Sequence, residues 1–211
     1  PVLWSTVEKT ALADAEVEYK DHTSSTIYAS FKIKKTEKDF LKDGHIIIWT
    51  TTPWTIPANR ALAYGSKIKY SVIKIGKDTK YFQNKKIIVA TELIKTVSEE
   101  CNFKDFTVLK EFNGNDFKNT VCQHPFLNLG YNYDVPMLEG DFVTLDQGTG
   151  IVHAAPSHGP DDYNLCLKHG LKAPDTMNDA GIYSEAIPFF SGIQIGKTSG
   201  RERGEVSVVA G

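Results

Sequence analysis

Runs of β-branched and aromatic residues, separated by short polar turns, dominate the middle of the chain. The isoleucines at 46–48 form an apolar run that is typical of a buried strand. Further runs, bounded by Gly, Asn or Asp, predict strands at residues 68–75, 86–90, 106–112 and 141–145. Residues 91–101 instead have helical spacing, with Thr91 as the cap. The pattern predicts a mixed α/β domain with a mostly antiparallel sheet and a few short helices.

The isoleucine run leads into a segment crowded with hydroxyls, indoles and prolines, WTTTPWTIPANR at residues 49–60. Pro53 and Pro57 end any strand ladder because proline fixes its own φ and has no N–H to donate. The threonines therefore lie where a strand leaves the sheet. Such a loop can present hydroxyls and a flat Trp54 face to a ligand. The same residues also fit a purely structural role, in which the threonines end a strand and the tryptophan packs in the core.

A second segment, GTGIVHAAPSHGPDDY at residues 148–163, begins as a glycine-flanked strand and ends as a helix start. Pro160 suits the first helical position, where its missing N–H costs nothing. Asp161 and Asp162 then occupy the first turn, and Gly170 can supply a left-handed cap at the other end. The helical spacing continues through Tyr163, Cys166 and Leu167.

The acidic and imidazole side chains of this segment each have a structural explanation. Carboxylates in a first turn stabilise the helix through its partial positive charge and free N–H groups. Asp161 and Asp162 are consecutive, however, and point in different directions around the helix. At least one of them must face something other than its own backbone. His153 and His158 follow a strand, where a histidine is more often a structural residue than a catalyst.

Together the two segments resemble the editing domain of isoleucyl-tRNA synthetase. The resemblance is carried by TTTPWT at 50–55, GTGIVH at 148–153 and HGPDDY at 158–163. Residues 10–19 and 22–25 resemble the segment that joins this domain to its parent enzyme. The valine and leucine relatives typically carry an arginine and an acidic residue where this chain has Thr52 and Trp54, and an aspartate at Gly159. On these points the sequence resembles the isoleucine enzyme.

The resemblance implies a fold and a division of the chain. The fold is α/β, with a mixed, mostly antiparallel, barrel-like sheet and a few short helices. Residues 1–192 would form the editing domain, inserted in a larger synthetase through a connecting segment at 1–25. Residues 193–211, which do not match the family pattern, would be a return segment or a flexible tail.

The resemblance also implies an activity, the hydrolysis of the ester of mischarged Val-tRNA(Ile), with valyl-adenylate as a further candidate substrate. Valine lacks one methylene of isoleucine, and a hydrophobic pocket extracts little free energy from that group, for which isoleucyl-tRNA synthetase is itself the standard example. Valine is therefore sometimes attached to tRNA(Ile). A second pocket that admits valine and excludes isoleucine by steric clash would remove it.

The family residues carry over onto specific positions. Asp162 would hold the substrate ammonium through a charge-assisted hydrogen bond. The catalytic residues that the resemblance implies are Asp162, Thr51 and Thr52. His153 would border the side-chain pocket. The substrate-binding residues implied are Thr50, Thr55, Trp54, His153 and His158. Because an aminoacyl ester is already reactive, the site has to orient it, place a water and stabilise the oxyanion.

Charge and composition limit the partners. A net charge of −2 and a pI near 6.3 argue against a stand-alone tRNA binder, because affinity for nucleic acid comes largely from basic surface. The resemblance implies two partners, the 3′ end of tRNA(Ile) carrying valine and the rest of the parent synthetase. With no apolar run long enough to cross a membrane and no signal peptide, we expect a cytoplasmic protein. We also expect a monomer.

Neither a cofactor nor a metal is expected in this domain. The three cysteines form no Cys-x-x-Cys pair, so the sequence indicates neither a zinc site nor a disulfide framework. The parent enzyme uses ATP and magnesium, but its His-Ile-Gly-His and Lys-Met-Ser-Lys-Ser type motifs do not occur here. This chain is therefore not expected to form aminoacyl-adenylate.

Three other functions fit the sequence. A module of the same fold could capture the 3′ end of tRNA without catalysis. The chain could instead be the editing domain of the valine enzyme. A different hydrolase could use His158 as its base, although no Ser-His-Asp arrangement can be argued from the spacing.

Overall fold

A computed structural model describes residues 3–18 and 26–195, together with the backbone of 209–210. The strands in this part of the chain are β1 (Trp4–Ser5), β2 (Thr10–Ala11), β3 (Ile27–Lys35), β4 (Gly44–Thr50), β5 (Ala61–Tyr64), β6 (Lys69–Ile75), β7 (Lys86–Ala90), β8 (Phe106–Asn113), β9 (Val121–Gln123), β10 (Asp134–Glu139), β11 (Ile151–Ala154) and β12 (Val209–Ala210). The α-helices are α1 (Ile94–Glu100) and α2 (Pro160–Lys168). Short 3-10 helices lie at Asp14–Glu16, Asp39–Leu41, Pro53–Ala58, Thr91–Leu93, Gly114–Phe117 and Leu127–Leu129.

Two expectations fall partly outside the described residues. Of the connecting segment expected at 1–25, residues 1–2 and 19–25 lie outside them, as do residues 196–208 and 211 of the return segment or tail expected at 193–211. In the described part, β1 and β2 form an antiparallel ribbon of their own. None of the helices described has the length and apolarity that a bilayer crossing requires.

The strands from β3 to β12 form one sheet in the described part of the chain. Its order is β11-β5-β10-β9-β3-β4-β7-β6-β8, and β12 pairs with β3. The parallel neighbours are β5 with β10 and β4 with β7, and the other neighbours are antiparallel. The prediction of a mixed, mostly antiparallel sheet with a few short helices is confirmed.

The sheet bends back on itself, so that the segment before β11 meets the ends of β6 and β7. The Ala90 N–H donates a hydrogen bond of 2.8 Å to the carbonyl of Thr149. The buried Tyr70 hydroxyl accepts the N–H of Gly65 at 2.9 Å and donates to the carbonyl of Gly150 at 2.8 Å. These bonds connect two distant parts of the strand order and give the sheet its barrel-like shape.

Glycine is required at 148 and 150, where the segment before β11 meets β6 and β7, for two reasons. Gly148 and Gly150 have φ values of +80° and +72°, which residues with a Cβ rarely adopt. A Cβ built on Gly150 would lie 2.4 Å from the Cβ of Ala90, and one on Gly148 would lie 3.4 Å from the Trp49 ring. The glycine-flanked segment therefore runs directly against β4 and β7.

The run at 46–48 forms the centre of β4 and is fully buried, as predicted. Pro53 begins a 3-10 helix that replaces the strand, and Pro57 lies inside it; both prolines are buried. The three cysteines, Cys101, Cys122 and Cys166, are buried and free. They serve as small apolar residues of the core.

Two sequence predictions were wrong. Residues 141–145 form a turn instead of a strand, in which the N–H of Val143 bonds the carbonyl of Gly140. The strand of this region, β10, lies earlier in the chain. Thr91 does not cap α1, because its hydroxyl bonds the Ser71 hydroxyl at 2.9 Å on the neighbouring strand. The predicted helix instead begins with a 3-10 turn that precedes α1.

The second predicted helix is confirmed. Pro160 opens α2, and Gly170 follows its end with a φ of +71°. Of the three residues whose spacing predicted it, Cys166 is buried, whereas Tyr163 and Leu167 are exposed. The helix packs through Leu165 and Cys166 against a small apolar cluster that includes residues of β5 and β11.

Candidate functional site

The threonine loop after β4 and the segment from β11 to α2 enclose a cavity of about 330 Å³. Seven of the eight predicted site residues line it: Thr50, Thr51, Thr52, Thr55, His153, His158 and Asp162. The antiparallel pairing of β5, which follows the threonine loop, with β11 brings the two motifs together across a separation of about a hundred residues. The cavity lies where a strand ends and a helix begins, which are common locations for ligand sites.

The hydroxyls of the loop are positioned by local hydrogen bonds. Thr50, the last residue of β4, is buried, and its Oγ1 accepts the N–H of Thr52 at 3.1 Å. The hydroxyls of Thr50 and Thr52 lie 3.3 Å apart. Pro53 then begins the 3-10 helix, so Thr51 and Thr52 stay exposed at the mouth of the cavity.

The hydrogen bond between Thr55 and His153 defines the state of the buried imidazole. Thr55 Oγ1 donates to the carbonyl of Thr52 at 2.8 Å, so at 3.0 Å it accepts the proton on His153 Nε2. Nδ1 then carries no proton and has no hydrogen-bond partner in the described part of the chain. Burial, with a smaller contribution from His158, lowers the pKa of His153 to about 4. The wall of the cavity is therefore a neutral ring at physiological pH.

Asp162 is the third residue of α2 and faces the cavity. Its Oδ2 accepts the N–H of Ala155 at 2.9 Å. Burial raises the pKa of Asp162 to about 6, the Ala155 N–H opposes this, and the charge of Asp161 adds to it. A Cβ on Gly159 would lie 3.2 Å from Oδ2, so the glycine leaves room for the carboxylate. A partly desolvated carboxylate among hydroxyls and neutral rings favours a cation.

His158 lies between the cavity and a neighbouring cleft and is held from two sides. Its Nε2 forms a 3.0 Å hydrogen bond with the Thr176 hydroxyl, and its ring meets the Trp54 ring edge-on at 5.2 Å between centroids. Burial lowers the pKa of His158 to about 4. The ring is neutral at pH 7 and is a weak base.

Trp54, the remaining predicted site residue, does not line the cavity. Its side chain lies in the neighbouring cleft, of about 790 Å³, together with Trp4 and Tyr163. The hydroxyl of Tyr183 donates a hydrogen bond to the Trp54 carbonyl. Sequence reasoning grouped Trp54 with the threonines because the residues are adjacent in the chain, but the 3-10 turn directs the indole to the other side of His158.

The structure adds residues to the site that the sequence did not indicate. Phe142, Thr144 and Gln147 line the cavity from the turn that was predicted to be a strand. Thr176, which orients His158, lies in an irregular segment with no motif around it. A strand prediction assigns alternate residues to a sheet face, so it gave no reason to place these side chains beside the threonines.

The site contains no metal-type cluster in the residues described. Within 3–18 and 26–195, no group of three or more His, Cys, Asp or Glu side chains is arranged to hold a metal ion. The polar side chains that line the cavity are hydroxyls, the amide of Gln147, a carboxylate and neutral imidazoles. They can bind an ammonium group, orient a water and donate hydrogen bonds to an oxyanion.

Comparison with known proteins relates the chain to tRNA synthetases. The chain is 59% identical over 199 residues to an isoleucine–tRNA ligase of Pelagibacter ubique, covering 94% of this chain and 22% of that protein. It is 46% identical over 204 residues to that of Gluconobacter oxydans, covering 94% of this chain and 21% of the other. The chain thus spans about a fifth of the curated relatives that it matches. No protein-family model matches the sequence.

Solved structures show the fold. A leucyl-tRNA synthetase CP1 domain matches with a TM-score of 0.62 at 14% identity, covering 84% of this chain and 93% of that one. The editing domain of the P. falciparum cytosolic leucyl-tRNA synthetase matches with a TM-score of 0.54 at 11% identity, covering 70% and 68%. This sequence is related to a segment of isoleucine–tRNA ligases, and its fold is that of synthetase editing domains. The fold resemblance by itself assigns no substrate.

Proposed function

We propose that this domain hydrolyses the ester of Val-tRNA(Ile), releasing valine and uncharged tRNA. The observation that carries the proposal is the Asp162 carboxylate, placed by the first turn of α2 in a cavity that the threonine loop also lines. The relation to isoleucine–tRNA ligases supports the amino acid pair, and the fold supports an editing role. Valyl-adenylate, which carries the same aminoacyl group, is a second candidate substrate.

Asp162 would bind the substrate ammonium. Its pKa near 6 leaves the carboxylate mostly ionised at neutral pH, yet poorly solvated. An ammonium group relieves that desolvation through a charge-assisted hydrogen bond, and its charge would in turn lower the pKa of Asp162. Binding the positive end of the amino acid here fixes the position of the ester carbonyl, which is the main requirement for a reactive ester.

His153 would set the size limit. Its neutral ring is buried in β11 and fixed by Thr55, so it does not move aside without breaking that hydrogen bond. A rigid wall that touches the valine side chain would clash with the extra methylene of isoleucine. Exclusion of this kind discriminates more strongly than the small attraction that one methylene provides.

Water would be the nucleophile. Its oxygen attacks the ester carbonyl carbon, the bond to the ribose oxygen breaks, and that oxygen leaves as the adenosine hydroxyl. Thr51 and Thr52, exposed at the mouth, would contact the terminal adenosine and the ester. His158 is bound to Thr176 and is a weak base, which argues against a hydrolase built on His158.

The partners follow from the same proposal. The substrate is the 3′ end of a valine-charged tRNA(Ile), and the tRNA body is bound by the rest of a larger synthetase, because this chain is weakly acidic. Within that protein the domain would act as a monomer in the cytoplasm, without a cofactor of its own.

The two neighbouring aspartates provide the experiment. Asp162→Ala in the full-length protein should lower kcat/KM for Val-tRNA(Ile) hydrolysis at least about 100-fold, in line with the loss of a charged hydrogen bond in a desolvated site. Asp161→Ala is the matched control, since Asp161 is exposed in the same turn. It should cost about 0.3–1 kcal/mol of stability through the helix dipole and leave the rate near wild type.

Circular dichroism of both variants establishes that the fold persists. Unchanged hydrolysis by Asp162→Ala would refute the ammonium-binding role. Tight binding of Val-tRNA(Ile) by the wild type without turnover would instead identify a capture module. Preferential cleavage of a threonine ester on tRNA(Val) would identify the editing domain of the valine enzyme.

A further inference from the structure

An aromatic cleft lies beside the cavity and is larger than it. It measures about 790 Å³, against about 330 Å³ for the cavity. Its principal walls are Trp4 from β1, Trp54 from the 3-10 helix and Tyr163 from α2. Trp4 is 43% exposed and Tyr163 is 46% exposed, so both rings present apolar surface to the solvent. Three such rings around one depression indicate a surface for a flat, partly apolar ligand.

The indoles are held in place. The Trp4 Nε1–H donates to the carbonyl of Asp179 at 3.0 Å, which attaches the β1–β2 ribbon to the later part of the chain. Trp54 meets His158 edge-on at 5.2 Å, and its carbonyl accepts the Tyr183 hydroxyl. Rings fixed before a ligand arrives lose little conformational entropy on binding.

The cleft continues the proposed active site. His158 lines both the cavity and the cleft. Asp162 faces the cavity and Tyr163 faces the cleft, so two consecutive residues of α2 form the ridge between the two spaces. A substrate whose ammonium reaches Asp162 and whose polynucleotide extends outward has this cleft directly beside its path.

We infer that the cleft of Trp4, Trp54 and Tyr163 stacks the base of the nucleotide that precedes the terminal adenosine. The inference rests on the proposed function, since it identifies a second part of the same substrate. Single-stranded ends of RNA are bound by stacking unstacked bases on Trp, Tyr and His rings. All three ring types occur in this cleft.

The charges around the cleft do not favour binding of a phosphate group there. The described residues that line the cleft include no lysine or arginine, and the exposed Asp161 lies on the adjoining turn of α2. A phosphate subsite requires basic side chains or free N–H groups without nearby carboxylates. The cleft therefore contributes stacking, which depends little on which base is present.

The test compares two small esters with the full-length protein. One is adenosine carrying valine on its ribose, and the other is cytidylyl-adenosine carrying valine at the same position. The wild type should hydrolyse the dinucleotide ester with a KM about tenfold lower than that of the adenosine ester, in the range expected for one stacked base, and with the same kcat.

Substitutions assign that difference to the cleft. Trp4→Leu and Tyr163→Leu should each raise the KM of the dinucleotide ester severalfold and leave both constants for the adenosine ester unchanged. Tyr163→Phe keeps the ring face and should retain the wild-type KM. Leu167→Ala, on the same helix and 60% exposed outside the cleft, is the matched control and should change neither substrate.

The outcomes separate the two proposals. If the wild type hydrolyses neither ester nor Val-tRNA(Ile), the proposed function fails; if it hydrolyses Val-tRNA(Ile) alone, the stacking site is overturned, because the dinucleotide ester contains everything that the cleft should bind. If both are hydrolysed with equal KM, or if the leucine variants affect both esters alike, the function stands and the stacking site is overturned. A loss of binding in Tyr163→Phe equal to that in Tyr163→Leu would also overturn it, because the ring face would then not be the relevant feature.

Discussion

At the scale of the single residue, the pKa of Asp162 controls the proposed chemistry. Burial raises this pKa to about 6, above the ordinary aspartate value, so the carboxylate is neutral below pH 6 and ionised above it. An ammonium group binds only the ionised form. The site is therefore expected to lose affinity for a cationic substrate under mildly acidic conditions in which an exposed aspartate would still be charged.

This gives a prediction for the pH dependence of binding. Between pH 6 and 7, where the α-amino group of the substrate is still protonated, the KM for Val-tRNA(Ile) hydrolysis should be flat. It should rise about tenfold for each pH unit below 6, because the ionised fraction of Asp162 falls by that factor. Steady-state rates between pH 4.5 and 7 measure this rise. The control substrate carries a hydroxyl in place of the amino group of valine, and its KM should not show this rise.

A KM for Val-tRNA(Ile) that stays flat to pH 4.5 would contradict the assignment of Asp162 as the ammonium partner. Titration of the two histidines does not account for a rise in KM near pH 6, since the pKa values of His153 and His158 both lie near 4. Both rings remain mostly neutral across most of the range in which Asp162 titrates.

The size of the buried imidazole leads to a second prediction at this scale. His153→Ala should open the wall of the cavity, so that correctly charged Ile-tRNA(Ile) is hydrolysed while Val-tRNA(Ile) still is. The ratio of kcat/KM for the two substrates should fall by about tenfold or more, since the clash with one methylene is removed. Deacylation of the two charged tRNAs, measured side by side, gives the ratio.

His45→Ala is the control for that substitution. His45 is also partly buried, has a pKa lowered to about 4 and bonds a hydroxyl, that of Ser30, at 2.9 Å. It does not line the cavity. Its loss should leave the ratio unchanged, and a ratio that is also unchanged in His153→Ala would remove His153 from the selectivity wall.

Seven of the eight residues that the sequence proposed for the site line one cavity, because two short motifs contain them. The threonine run and the segment around His158 and Asp162 are each contiguous, and the resemblance gave them roles. Trp54 was placed with the threonines although its ring faces the cleft, and Thr176 was not found. Side-chain direction depends on local backbone geometry, and a contact between distant segments depends on the fold, so neither is determined by spacing alone.

At the scale of the element, residues 148–150 form part of one wall of the cavity. Two glycines show whether backbone strain or a steric clash would make a substitution in this segment costly. Gly150 and Gly170 have almost the same backbone angle, with φ of +72° and +71°. A Cβ on Gly150 would collide with Ala90 at 2.4 Å, whereas one on Gly170 would meet nothing within 4 Å. The pair distinguishes backbone strain from steric overlap.

Gly170→Ala should therefore cost about 1 kcal/mol of unfolding free energy, from left-handed strain partly offset by a less flexible unfolded chain. Gly150→Ala should cost about 1–3 kcal/mol more, because the added methyl must displace β7. Urea unfolding of both variants measures the difference. Equal costs would show that the segment shifts without resistance and that close contact with Ala90 is not what fixes the cavity wall.

The elements themselves were predicted where local signals agreed. The run at 46–48 became β4, and the proline start and glycine end of α2 fell where the sequence placed them. The strand predicted at 141–145 failed because its residues turn back after Gly140. Local propensity is a weak guide where tertiary contacts decide the conformation, as in this turn beside the cavity.

At the scale of the whole molecule, the order of strands was not predictable from the chain. The parallel pairing of β5 with β10 joins segments about 75 residues apart, and a single sequence contains no signal for it. The same holds for the bend that brings the residues before β11 onto β6 and β7. The family resemblance supplied the barrel-like shape, and the structure shows which contacts produce it.

The hydroxyl of Tyr70 connects the two parts of the bent sheet. It accepts the Gly65 N–H and donates to the Gly150 carbonyl, and the residue is fully buried. Tyr70→Phe removes both bonds and leaves two backbone groups without this partner, which should cost about 1–3 kcal/mol of unfolding free energy.

Tyr133→Phe is the matched control for this change. The Tyr133 hydroxyl donates to the Asn59 carbonyl at 2.8 Å, and that carbonyl also accepts a guanidinium hydrogen of Arg60 at 2.8 Å. Its loss leaves no acceptor unpaired and should cost about 0.5–1.5 kcal/mol. Hydrogen exchange at the Ala90 amide, which bonds Thr149, should accelerate in Tyr70→Phe and not in Tyr133→Phe. Equal exchange in the two variants would show that the bend of the sheet is maintained by its apolar core, and that the Tyr70 hydroxyl only satisfies the groups beside it.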